Sequence, residues 1–153
     1  MQRHRPFAIF LILFFSFPGY VLAGNDPVLS GLIPIAIPGG AVIQAELANT
    51  PQKRAEGLMY RTYLAPDRGM LFTFSQAEAW VFWMKNTKIP LDLIWMDQNR
   101  LITEIVPNAQ PCKSDSAATC PKFGGNRRSV FVLELNAGMA AKHGLKPGDR
   151  LDF

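Results

Sequence analysis

Leu91-Asp92-Leu93-Ile94-Trp95-Met96, then Asp97-Gln98-Asn99-Arg100, then Leu101-Ile102-Thr103-Glu104-Ile105-Val106: these sixteen residues decide the fold. Two short runs rich in β-branched and aromatic side chains flank a polar four-residue segment, the pattern of a β-hairpin. Each run is too short for a typical buried helix. With a side-chain period of two, Leu91, Leu93 and Trp95 share one face, which is assigned to the core. Asp92 and Ile94 then point the other way.

Working outward from this hairpin, more strands follow. Leu32–Ile37 is apolar but carries Pro34, which suits an edge strand. Gly39-Gly40 marks a turn into Val42–Ala48, where Ile43, Ala45 and Leu47 alternate with Gln44 and Glu46. Thr50-Pro51 opens a helix over 52–60, with a hydroxyl N-cap and proline in the first turn. Met70–Phe74 and Trp80–Met84 read as strands, and the short link from Met84 to Leu91 makes the 80–84 and 91–96 strands antiparallel neighbours. Val130–Leu135 is a further strand. Asn136 is read as the cap of a helix over 137–143, stopped by Gly144. Residues 150–153 form a last short strand. Pro107–Arg127, rich in Pro, Ser, Ala and Gly, reads as a long loop. The expected fold class is α+β and β-rich: one compact domain, a small barrel or half-barrel of about seven or eight strands with two short helices.

The N-terminus carries different information. Arg3, His4 and Arg5 precede an apolar run from Phe7 to Phe17, and Val21-Leu22-Ala23 offers small residues before Gly24. That order predicts a cleavable secretory signal over 1–23. The alternative is an uncleaved membrane anchor, the only route by which a membrane enters this reading. Residues 24–41 follow as leader and edge strand, and 42–153 as the single β-rich domain. Loss of Arg3 and Arg5 with the signal reduces 16 Lys and Arg against 12 Asp and Glu to 14 against 12. The remaining basic residues are scattered rather than striped, which gives no case for nucleic acid.

Export bears on the two cysteines, Cys112 and Cys120. In an oxidising compartment they are expected to pair, shaping a short polar loop; a metal pair or two free thiols are the other readings. A zinc site needs four ligands, and a chain without its signal keeps only His143 as a histidine. His143 stands near a predicted helix end, which favours capping. Met59, Met70, Met84, Met96 and Met139 form no ligand-like cluster, so copper is set aside and no metal or cofactor is expected. Ser75, Ser114, Ser116 and Ser129 sit in no nucleophile-elbow pattern.

The densest chemistry lies in Trp83-Met84-Lys85-Asn86-Thr87-Lys88-Ile89-Pro90-Leu91-Asp92. Around it stand Glu46–Pro51, Gly57-Leu58-Met59-Tyr60-Arg61, Gly69–Phe72, Leu133–Gly138 and Gly148-Asp149. Taken together these resemble the family called domain of unknown function 192, over roughly residues 42–153. The resemblance implies a small, exported or membrane-anchored β-rich domain with no established reaction. Cys120-Pro121 fits the family pattern, whereas Cys112 looks like an addition in this chain.

The residues themselves suggest a polar pocket. Trp83, Lys85, Asn86, Thr87 and Asp92 are candidates for it, ringed by Trp80, Trp83 and Trp95, with Glu134 as a carboxylate on a neighbouring strand. Lys85 is expected to pair with Glu134, because an unpaired charge beside apolar runs is costly. The bland alternative is that Asp92, Asn86 and Thr87 satisfy backbone groups in a turn and that Glu134 faces solvent. Two functions follow. One is an exported envelope or periplasmic binding or accessory domain for a small polar ligand or an envelope partner. The other is an enzyme on envelope saccharides with Asp92 or Glu134 as acid or base.

Overall fold

The computed structural model describes residues 31–114 and 116–153. The expected signal, residues 1–23, and residues 24–30 of the leader lie outside that range. A six-stranded sheet is built from β1 (Leu32–Ala36), β2 (Val42–Ala48), β3 (Arg68–Glu78), β5 (Leu91–Met96), β6 (Ile102–Ala109) and β8 (Ser129–Asn136), in the spatial order β1-β2-β3-β8-β5-β6. β4 (Val81–Trp83) and β7 (Lys122–Gly124) form a separate two-stranded sheet. Two short helices, α1 (Pro51–Glu56) and α2 (Met139–Lys142), complete it with a 3-10 turn at Ala117–Thr119.

Local rules account for several joints. The β1–β2 hairpin turns on Gly39 and Gly40, both at positive φ. β2 and β3 are parallel, so the chain must cross between their ends, and α1 supplies the crossover. Thr50 Oγ1 accepts the Lys53 amide at 3.2 Å, and Gly57 at φ +52° ends the helix at Glu56, four residues short of the expected Tyr60. In the β5–β6 turn, Asp97 Oδ1 accepts from the Asn99 and Leu101 amides, as an Asx turn does.

The sheet is not closed strand to strand. The C-terminal segment instead bridges its two edges: Asp152 pairs with Ala36 of β1 and Arg150 with Leu101, just before β6. Two residues of extended chain reach about 7 Å. Flat, the six strands would hold those edges about 24 Å apart. The sheet therefore curls into a half-barrel at this end.

Both faces of the sheet are buried, and this corrects the one-sided reading of β5. One core holds Ile35, Ile43, Leu71, Ile94, Met96, Leu133 and Leu135 under α2, Leu145 and Leu151. The other holds Met70, Phe72, Leu91, Leu93, Trp95 and Val132, covered by Leu58, Leu64 and Met84. All six residues of β5 are buried.

Two further expectations fail. Residues 80–84 do not pair with β5, whose two edges are taken by β6 and β8. β4 pairs with β7 instead, within what reads in sequence as an unstructured loop. Its place is fixed by contact with Trp95: a Cβ on Gly124 would sit 2.2 Å from the indole, so only glycine lets β7 lie this close. Asn136 does not cap α2. It ends β8, and its Nδ2 donates to the carbonyls of Leu64 and Ala65.

Candidate functional site

Asp92 and Glu134 stand on neighbouring central strands, β5 and β8, and are both buried. In that pairing Asp92 lies opposite Leu135 and Leu93 opposite Glu134. Directly paired residues share a face, so the two carboxyls lie on opposite faces of one sheet.

Asp92 belongs to the first face and is fully enclosed. Its Oδ1 accepts the Asn108 amide and its Oδ2 the Ala140 amide, both at 2.8 Å. The second bond caps the first turn of α2, where Gly138 at the N-cap position has no side chain to do so. Asp92 is thus a structural clasp between β6, β5 and α2. It holds backbone groups distant in sequence rather than those of its own turn.

Glu134 belongs to the second face and is 5% exposed. Its Oε2 is buried and has no hydrogen-bond partner among the described residues. Loss of water raises its pKa to about 8, opposed only in part by the positive charge of Arg61. The expected Lys85–Glu134 pair is not formed. Lys85 Nζ lies 5.8 Å from the Trp83 ring centroid, in cation–π range.

Glu134 lines a cavity of about 110 Å³ together with Leu58, Met59, Phe72, Phe82, Trp83 and Thr87. Of the expected residues, the structure therefore gathers Trp83, Thr87 and Glu134 here. Asn86 sits at the rim, donating through Nδ2 to the Tyr60 hydroxyl at 2.9 Å, while its carbonyl accepts the Tyr60 amide. Both residues have left-handed backbone, φ +58° and +66°, a conformation that non-glycine residues hold only where surrounding bonds impose it. Asp92 is excluded from the site. So are Trp80, stacked on Phe74, and Trp95, buried beneath β7.

A larger cavity of about 700 Å³ adjoins, sharing Glu56 and Gly57 with the first and lined also by Glu46, Lys53, Arg61, Tyr63 and Arg68. It holds the site residues that sequence reasoning missed. Arg61 grips Glu46 through two parallel bonds, the second 2.8 Å long, which hold Glu46 below its ordinary pKa and Arg61 above its own. Both residues stand in the segments that carry the family resemblance, but their meeting depends on how the 57–65 loop folds back over β2. These two charges already satisfy each other, whereas Glu134 does not find a partner. The smaller cavity is therefore the chemically unfinished part of the surface.

Among the described residues, no group of three or more His, Cys, Asp and Glu is placed to hold a metal ion. Cys112 and Cys120 form a disulfide, Cα atoms 5.5 Å apart, and Cys112 packs against the second core. The bond fastens the segment that leads into β7, the outer cover of this face.

The sequence profile of one family, domain of unknown function 192, described as an uncharacterized ACR, matches residues 35–153. The chain belongs to this family. Its matched region contains every residue of the smaller cavity and both cysteines. Solved structures that share the fold include the following two. A protein of unknown function from Novosphingobium aromaticivorans DSM 12444 is 36% identical, with a TM-score of 0.72 over 80% of this chain and 85% of that one. A protein from Sinorhizobium meliloti 1021, described as a candidate transcription regulator, is 38% identical, with a TM-score of 0.67 over 78% and 89%. No curated protein matches the sequence.

Proposed function

We propose that this protein is an exported binding or accessory module of the periplasm or cell envelope, and that the two adjoining cavities on the second face are its ligand site. One observation carries the reading: Glu134 is a buried carboxyl with an unpartnered oxygen in an aromatic-walled cavity. Apolar clefts with a few convergent polar groups are the usual form of small-molecule sites, and about 700 Å³ falls within their size range. Export is supported by the signal-like N-terminus and by the disulfide, a bond that persists in oxidising compartments.

The two alternatives have less behind them. A glycosidase-like pair of Asp92 and Glu134 requires both carboxyls over one cleft, and the sheet stands between them. Transcriptional regulation, suggested by the Sinorhizobium protein's description, finds no support in the charge pattern, because the basic residues are scattered rather than striped.

The test has two parts. Fractionation with mass spectrometry should find the protein outside the cytoplasm and lacking residues 1–23. A thermal-shift screen of that processed protein against sugars, amino acids and small amides should find compounds that raise Tm, because a ligand of the native state stabilises it by mass action. Retention in the cytoplasm, or a screen in which Trp83→Ala leaves every such shift unchanged, would count against the proposal.

A further inference from the structure

The charged groups around Glu134 are already engaged elsewhere. On α1, Arg54 donates to the carbonyls of Asn49 and Thr73. Arg61 is held by Glu46 of β2. Lys85 lies over Trp83. Glu56, also on α1, borders the mouth and is exposed. The residues paired with Glu134 from β3 and β5 are Met70 and Leu93, both apolar. Among the described residues no cation forms an ion pair with the carboxyl, although the charge of Arg61 is felt there.

From this we infer that the cavity under Trp83 takes an uncharged group that accepts a hydrogen bond from Glu134, an amide carbonyl above all. The inference rests on the ligand site proposed above and names the chemistry that the site anchors. Three observations support it. The carboxyl keeps its proton to about pH 8, so at neutral pH it offers an O–H. Beside Glu134 the walls are Leu58, Met59, Phe72, Phe82 and Trp83; of the two charged residues that also line the cavity, Arg54 is bonded to two carbonyls and Glu56 stands exposed at the mouth, so at the carboxyl itself a charged guest would give up hydration without an ion pair in return. The volume of about 110 Å³ has room for about four waters, which suits the end of a ligand whose remainder lies in the larger cavity.

The experiment is a titration of the processed protein by NMR, following the Trp83 indole and the Glu134 carboxyl. Its probes are acetamide, acetate and ethylammonium, three groups of similar size and different charge. Acetamide should bind in the millimolar range, as befits so few atoms, and at least tenfold more tightly than either ion. Its affinity should fall about tenfold between pH 6 and pH 9, as the O–H is lost. Glu134→Gln, which keeps an N–H donor, should bind acetamide with no pH dependence. Glu134→Met, which keeps the volume, should not bind it.

Ethylammonium binding that strengthens with pH would overturn the inference, and so would a preference for acetate. Acetamide binding unchanged in Glu134→Met would do the same. If acetamide is silent while a compound from the thermal screen shifts the Trp83 signal, this inference falls and the ligand site stands. If no probe and no screened compound moves that signal, both fall.

Discussion

The two faces of the central sheet are built from alternate residues of the same strands, yet they are finished differently. On the first face the buried carboxylate, Asp92, meets two backbone amides and closes α2 onto β5 and β6. On the second face the buried carboxyl, Glu134, lines a cavity and has an oxygen without a hydrogen-bond partner among the described residues. Burial alone does not distinguish structural from functional acids, because both are almost entirely shielded from solvent. Hydrogen-bond satisfaction does. A partnered carboxylate is part of the scaffold, and an unpartnered one is an opening for something else.

The sharpest way to break this contrast is Asp92→Ala. It would leave the buried Ala140 N–H and the part-buried Asn108 N–H without an acceptor and remove the cap of α2. We expect a loss of about 3 kcal/mol, because each buried donor left without an acceptor costs about 1–3 kcal/mol and the Asn108 bond is shielded only in part. Chemical denaturation measures it, and a loss below about 1 kcal/mol would show that Asp92 is no clasp.

Glu134 should behave in the opposite way. Its folded pKa of about 8 lies above the ordinary 4.5, so the folded state holds the proton more tightly than the unfolded chain. The resulting stability is fully present below pH 4.5 and is lost as pH rises to about 8. Glu134→Gln should flatten this slope and make the variant more stable than the native protein at pH 9, by about 5 kcal/mol. Unfolding curves across pH 4 to 9 for both proteins decide it, and parallel curves would remove Glu134 as the titrating group.

The smallest expected effect concerns the cover of the second face. Replacing Cys112 and Cys120 together with Ser releases a short loop, with a sequence separation of 8. We expect about 2 kcal/mol or less in stability. Because the bond fastens the segment entering β7, hydrogen exchange should quicken in Lys122–Gly124 while β5 and β8 stay protected. Uniform loosening of both faces would mean that the cover and the sheet are one cooperative unit.

Much of the scaffold was legible because its signals are local. The Asp97–Arg100 turn, the Thr50 cap with Pro51, the Gly39-Gly40 hairpin and the Pro34 edge strand each depend on residues within a few positions of one another. The candidate site was legible in part. Trp83, Thr87 and Glu134 were singled out by composition and do share a cavity, but Lys85 and Asp92 turned elsewhere. Glu46 and Arg61 were passed over as site residues although both lie in the segments that mark the family. An alternating glutamate on β2 reads as solvent-facing until a loop brings an arginine to it.

What the amino-acid sequence determined by itself was where most of the strands lie, which residues alternate and which turns join them, since backbone sterics and side-chain period act over one or two residues. The strand ends were set by pairing, for β3 runs on to Glu78 and β6 to Ala109. Tertiary structure alone decided which strand lies beside which. Asp92 finds its acceptor duties in Asn108 and Ala140, separated from it by 16 and 48 positions. The 80–84 segment was displaced from β5 because β8 and β6 claim both edges of that strand. Period-two patterning also cannot tell a strand with one buried face from a strand with two, because that depends on whether α2 and the β4–β7 pair arrive to cover it. The same strand chemistry therefore yields a closed face around Asp92 and an open one around Glu134, and the difference lies in what packs on top.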